Sequence, residues 1–343
     1  MLDWPLFLAR VARDHLYESL SYYPFRASEY PTRFLCPHGL ALACDVNGGV
    51  RYVMCGRESR PRLLDLSVYE RAQPGAVVWI RPDDLSRFSR EALPRMAGPF
   101  VLVTSDSDYC LPTDHADAAA AIIGSGQITR WFTTNYDGTA HRDVMQGVPL
   151  GLNYPKRNDL HRPFSAIGTT RVDMKPPREQ EAEWLAIVDR APALADRIPK
   201  AIGDFQFNDT ARRRRFGESR SDIHALLRDN PDVVWLPKRG AQTWLLSEYA
   251  RHVFVISPHG YGLDCYRTWE ALLMGCIPIV KRSPLDDLYR GLPVAIVDDW
   301  RAVTRANLDR WLGQFASTVD RAHVLRVLSA DYWLKQIRSP HGV

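Results

Sequence analysis

The chain has 343 residues, of which 45% are apolar and 24% charged, and its formal net charge is +4. That length exceeds what one hydrophobic core usually spans, so two domains are expected. The balance is that of a packed globular protein, and the small basic excess falls short of a nucleic-acid binder, so no nucleic-acid partner is expected. No apolar run approaches the roughly 18 residues of a spanning helix, and the start, MLDWPLFLARVARDHLYESL, reads as an amphipathic helix without a leader. A soluble, cytoplasmic protein without a transmembrane segment is the expectation. The six cysteines have no C-x-x-C pairing, so neither a zinc site nor a cofactor is expected.

In chain order, apolar runs bounded by turn residues at RYVMCG, AVVWIR and PFVLVTS read as strands, with DLSRFSREALPRMA as a helix between the last two. The stretch NYPKRNDLHRPFSAIGTTRVDMKPPREQEAEW is rich in proline and charge and reads as a linker. A second strand series follows at KAIGDFQFN, DVVWLP, HVFVIS, CIPIVK and PVAIVDDW. Helices are expected between its members at RSDIHALLRDN, TWLLSEYAR and Tyr266 to Met274. The expected organisation is α/β with four parts: a Rossmann-like domain over 1–155, a linker over 156–198, a second Rossmann-like domain over 199–318, and a C-terminal helix over 319–343 that packs back on the first domain.

The richest segment runs from His252 to Lys281. A strand-like run is followed by the loop Pro258-His259-Gly260-Tyr261-Gly262, and then by a helix whose positive end is directed at that loop. A diphosphate suits such a turn. Arg267 in the first helical turn offers a fork of donors to phosphate oxygens, and Glu270, three residues on, offers acceptors to ribose hydroxyls. The bland alternative is a helix-surface ion pair worth about 0.3–0.5 kcal/mol.

With Pro258, Gly260, Gly262, Asp264, Arg267, Trp269, Glu270, Ala271, Leu272, Gly275, Ile277, Pro278, Ile279 and Val280 in place, the segment resembles the nucleotide-sugar site of exostosin-like glycosyltransferases. TSDSDYCLP, ITRWFTTNYDG and GVPLGLNYP resemble acceptor-domain segments of related enzymes more weakly. The resemblance implies a GT-B arrangement of two facing Rossmann-like domains, with the donor on the C-terminal one and the acceptor on the other. The activity it implies is sugar transfer from a nucleotide-diphosphate sugar to a glycan or glycoconjugate hydroxyl, inverting and metal-independent. Donor contacts are then expected from His259, Gly260, Tyr261, Gly262, Asp264, Arg267 and Glu270.

Other segments supply further candidates. In FQFNDTARRRRFGESR, Asn208 and Thr210 suit a helix cap, and Arg213 or Arg215 suit donor phosphates, although an arginine run is commonly a solvated face. Donor-base contacts are looked for around Pro237, Lys238, Arg239 or Tyr261. An inverting transfer needs a base. Asp106 and Asp108, after a strand, rank first, ahead of His115, Asp137 and His141. Asp106-Ser107-Asp108 also spells a metal-binding D-x-D, the basis of a metal-dependent alternative. Trp131 and Tyr136 are sugar-stacking candidates or core, and Asn135 a hydrogen-bonding partner. A non-catalytic nucleotide- or sugar-binding module of the same fold is the alternative from another class. No G-x-x-x-x-G-K-[ST] loop occurs, so phosphoryl transfer is set aside.

Overall fold

The computed structural model describes residues 32–55, 60–154, 175–207, 216, 219–236 and 241–339. The amphipathic start, the first part of the expected linker and the arginine run of 212–215 lie outside them, as do Asn208, Thr210 and residues 237–239. The described chain builds two all-parallel sheets with helices in their connections.

The N-terminal half opens with α1 (Pro37–Leu42) and α2 (Val50–Met54), then runs β1 (Val77–Ile80), α3 (Leu85–Glu91), β2 (Phe100–Thr104), α4 (Ala116–Gly124), β3 (Ile128–Thr133) and β4 (Met145–Gly147). Its strands lie in sequence order, and Val46 adds a parallel bridge to Val78 beyond β1. Successive crossovers therefore step the same way along the sheet, and α3 and α4 lie side by side. One expectation is corrected here: RYVMCG, expected as a strand, forms α2. A short apolar run does not distinguish the two. The helix buries Tyr52 and Val53, and the Arg81 guanidinium satisfies both their carbonyls.

A further correction concerns the expected linker, whose last part is a regular helix, α5 (Pro177–Arg190), opening on proline at its first position. Trp184 on its buried face packs against Tyr154, the two rings tilted with their centroids 4.7 Å apart. Glu181 accepts from the Tyr154 hydroxyl (2.6 Å) and from the Arg33 N–H (2.8 Å). This helix buries apolar surface that a linker reading does not anticipate.

The C-terminal half contains β5 (Ile198–Gly203), α6 (Arg220–Leu227), β6 (Val233–Trp235), α7 (Gln242–Arg251), β7 (His252–Ile256), α8 (Tyr266–Leu273), β8 (Ile277–Lys281) and β9 (Ala295–Val297). The strand order is β6-β5-β7-β8-β9, so the direction of winding reverses between β5 and β7. This doubly wound order places a crevice at the carboxyl ends of those two strands, where open α/β sheets bind ligands. The strands are near-continuous apolar runs because both faces are covered. Ile202, Val255 and Val280 join the core shared with the N-terminal half, while Ala201, Phe254, Ile256 and Ile279 form a second core with Trp300, Leu308 and Trp311. The alternation along each strand sorts them.

Three last helices, α9 (Arg305–Ala316), α10 (Arg321–Leu328) and α11 (Ala330–Arg338), carry the chain back to the first sheet. Arg338 pairs with Asp45 at 2.8 Å, Arg130 donates to the Gln336 and Ile337 carbonyls, and the Leu35 N–H donates to Leu328 O. Among the described residues no helix is long and apolar enough to cross a membrane.

Candidate functional site at the edge between the halves

The carboxyl ends of β2, β3 and β4 meet the loop between β7 and α8. Asn135, just past β3, sits at φ 56°, a left-handed conformation that asparagine tolerates better than most residues. Its side-chain N–H donates to Ser107 O (3.0 Å), and its oxygen accepts the Asp264 N–H (2.8 Å). A Cβ on Gly262 would come within 2.7 Å of that amide. Asp264 accepts in turn from the Leu150 N–H (2.7 Å), from Trp269 Nε1 and from the Cys265 N–H. Burial pushes its carboxyl up to about 6 despite these donors.

These contacts change the reading of three expected ligand residues. Asn135 and Asp264 also join the halves, and a Cβ on Gly262 would meet the Asn135 amide. Trp131 and Tyr136 are core: the Trp131 indole donates to Thr104 Oγ1, and the Tyr136 hydroxyl donates to Ala140 O. Neither ring is a sugar platform.

At the switch point the polar groups converge. Arg267, in the first turn of α8, pairs with Asp204 at 2.5 Å, and Asp204 directly follows β5. Arg220, at the start of α6, donates to His259 O (2.9 Å) and Pro258 O (3.3 Å). Both guanidinium groups lie over the Phe205 ring, at 5.7 and 5.8 Å. His259 Nδ1 bonds Leu263 O at 2.7 Å, its ring lies 5.3 Å from Phe216, and Tyr261 is half-buried. Gly260 N–H donates to Gly262 O, closing the loop into a tight turn. Glu270 lies deeper. Its carboxylate accepts from Gln242 Nε2 (2.9 Å), which also donates to Asn153 O, and burial raises its pKa to about 7. The sequence places Arg267 and Glu270 on one helix; the structure adds Asp204, Arg220 and Gln242 as their neighbours. Asp204 carries only the weak signal of following a strand-like run, and no spacing marks Arg220 or Gln242.

Across the edge, Asp106 also sits in the left-handed region (φ 63°). Its Oδ2 accepts from Arg81 Nε (2.8 Å), lies 2.7 Å from Arg81 Nη2 and lies 3.7 Å from His38 Nε2. Arg81 is completely buried between the Tyr52 and Trp79 rings. One oxygen of the Asp106 carboxylate is therefore engaged by the Arg81 guanidinium. Among the described residues no group of three or more His, Cys, Asp or Glu is placed to hold a metal ion. Asp108 is close enough to Cys265, at the head of α8, to act on it electrostatically. His38, not singled out from sequence, follows Pro37 at the start of α1, and no motif marks it. His115 packs edge-on to Tyr109, Asp137 accepts from the Thr113 and Thr139 N–H groups, and His141 sits at φ 60° before β4.

No family model matches the chain, and no curated protein matches it. Among solved structures it is similar to an α1,3-fucosyltransferase (12% identity, 73% of this chain and 67% of that one, TM-score 0.36). It is also similar to a UDP-forming α,α-trehalose-phosphate synthase from Burkholderia xenovorans (11% identity, 82% and 76%, TM-score 0.36). The fold assignment rests on the strand orders above, not on these likenesses.

Proposed function

We propose that the chain is a glycosyltransferase of GT-B organisation, transferring a sugar from a nucleoside-diphosphate sugar to a hydroxyl of a glycan or glycoconjugate. The observation that carries this reading is the meeting of two functional edges. The switch-point crevice of one half, with Arg267 and Arg220 at the head of α8, faces the strand ends of the other half, with His38, Asp106 and Asp108. The exostosin-like motif supports it from the sequence side.

In this reading the diphosphate sits at the start of α8. Arg267 leaves Asp204 to take phosphate oxygens, or shares its fork between the two, and neutralises the leaving group as the glycosidic bond breaks. Glu270, turning from Gln242, accepts the ribose hydroxyls. The base proposed on the acceptor side is His38, whose Nε2 lies 3.7 Å from Asp106 Oδ2, for the proton of the attacking hydroxyl. Arg81 fixes the aspartate. Asp108 is the second candidate base from sequence and stands nearer the C-terminal half. Asp106 itself is better suited to orient a base than to act as one.

The test is a nucleoside-diphosphate thermal-shift panel with chelator present, followed by donor hydrolysis and transfer assays. Arg267→Ala removes charge-assisted bonds of about 1.5–3 kcal/mol and is expected to weaken donor use roughly ten- to a hundred-fold. His38→Ala is expected to lower kcat by about 10²-fold or more with little change in donor affinity. Unchanged donor kinetics in Arg267→Ala sink the donor assignment. A larger kcat loss in Asp108→Asn than in His38→Ala transfers the base to Asp108. Tight nucleotide binding without hydrolysis or transfer favours the non-catalytic module, and a shift seen only with divalent metal favours the metal-dependent alternative through Asp106-Ser107-Asp108.

A further inference from the structure

The end of α8 remote from the cleft borders a separate cavity of about 310 Å³. It lies where β5 and β8 begin, at the sheet edge opposite Asp204 and Ser257. Its apolar wall includes Leu194, Phe315 and Val319, and two arginines, Arg197 and Arg321, stand in it.

Both arginines are fixed by backbone oxygens. Arg197 donates through Nη1 to Met274 O (2.9 Å) and through Nε to Pro192 O (3.0 Å). Arg321 donates to Leu272 O (2.6 Å) and to Leu273 O. The helix end does not depend on them entirely, because Gly275 at φ 75° already closes it: its N–H reaches Leu272 O and the Cys276 N–H reaches Ala271 O. Among the described residues neither guanidinium pairs with a carboxylate. A helix terminus supplies roughly half a negative charge against two full positive ones. Burial and the neighbouring Arg197 both lower the pKa of Arg321. A Cβ on Gly275 would lie 3.3 Å from Arg197 Nη2.

We infer that this cavity binds a small organic anion, its phosphate or carboxylate head on Arg197 and Arg321 and its compact apolar body on Leu194, Phe315 and Val319. The volume is at the low end of the roughly 300–1,000 Å³ of small-molecule sites, which suits a single ring or short chain. The site is independent of the donor cleft and of the reading given to it.

The experiment is calorimetric titration of the full chain with phenyl phosphate, benzyl alcohol and inorganic phosphate. Phenyl phosphate is expected to bind saturably, and about tenfold or more tightly than either comparison compound. Ala316→Trp fills the mouth from the exposed face without removing an arginine and is expected to weaken phenyl phosphate about tenfold or more. Arg321→Met is expected to do the same where it folds. Arg267→Ala, in the cleft, is expected to leave this binding intact. The inference is overturned by no saturable binding up to about 10 mM, by equal affinity for benzyl alcohol, by unchanged binding in Ala316→Trp, or by its loss in Arg267→Ala.

Discussion

Glu270→Gln separates what the buried carboxyl does to the fold from what it does for a ligand. In the folded chain burial raises this carboxyl from its ordinary 4.5 to about 7, against the lowering effects of the Gln242 hydrogen bond and the Arg267 charge. The sign follows from linkage. A carboxyl raised in the native state keeps its proton there longer than in the unfolded chain, so its stabilising contribution is full below about pH 4.5 and is lost as pH rises through about 7. At about 1.4 kcal/mol per pKa unit, ionising Glu270 costs the fold on the order of 3 kcal/mol at pH 8.

Glutamine is a close mimic of the protonated acid, because its carbonyl can still accept from Gln242 and it carries no charge. The variant is therefore expected to match the wild type near pH 5 and to exceed it at pH 8. For a chain of this length 3 kcal/mol corresponds to about 4 °C in Tm. Thermal unfolding of both proteins between pH 5 and 8 measures this directly. Asp264, also raised by burial, tilts both curves equally and cancels in the difference. A Tm difference that is the same at pH 5 and pH 8, or a variant less stable at pH 8, refutes the reasoning. In the same variant nucleotide binding is expected to fall, so stability and affinity move in opposite directions at pH 8.

Gly262→Ala is expected to destabilise by about 1–3 kcal/mol, because its Cβ meets the Asn135 amide. Adding Asn135→Gly, which keeps the left-handed backbone, is expected to restore part of the loss, and a double-mutant cycle by urea unfolding that shows strict additivity would reject the contact. Arg81→Met strands the Asp106 carboxylate beside a desolvated pocket and is expected to cost about 3–5 kcal/mol in the same assay. Gly203→Ala drives a Cβ to 2.5 Å from the Trp235 ring. Its expected outcome is a lower denaturant midpoint with an unchanged m-value, and an unchanged midpoint would show that the ring moves aside freely.

The central strands of the second half were legible because they are apolar runs buried on both faces and bounded by turns, a pattern that β7 and β8 follow closely and β5 follows only from Ala201 to Gly203. The α2 segment was not, since Tyr52-Val53-Met54 is too short for periodicity to decide and its helical form depends on Arg81, a residue distant in sequence. The α5 helix was obscured by the charge and proline that surround it, although its Trp184 face buries as any amphipathic helix does. At the site, local spacing placed Arg267 and Glu270 on one helix. It could not place Asp204, Gln242 or His38, because each reaches its partner through a long-range contact: 63 residues for Asp204 and Arg267, 28 for Gln242 and Glu270.

The same limit explains why the motif residues divide into two kinds. Gly262 and Asp264 look like ligand-binding positions when read along the chain, yet in three dimensions a Cβ on Gly262 would meet Asn135, and Asp264 bonds Asn135 and Leu150 of the other half as well as Cys265 and Trp269. Arg267 and Glu270, one and two helical steps further on, lie at the crevice. The stretch therefore serves two constraints at once: its loop fixes the halves against each other, and the helix that follows presents the charged groups. A substitution in the loop changes the geometry of the cleft, while one in the first turns of α8 changes its chemistry. Gly262→Ala is accordingly expected to alter kcat and KM together, and Arg267→Ala to act on donor use while also lowering stability, because it takes the guanidinium away from the buried Asp204 carboxylate.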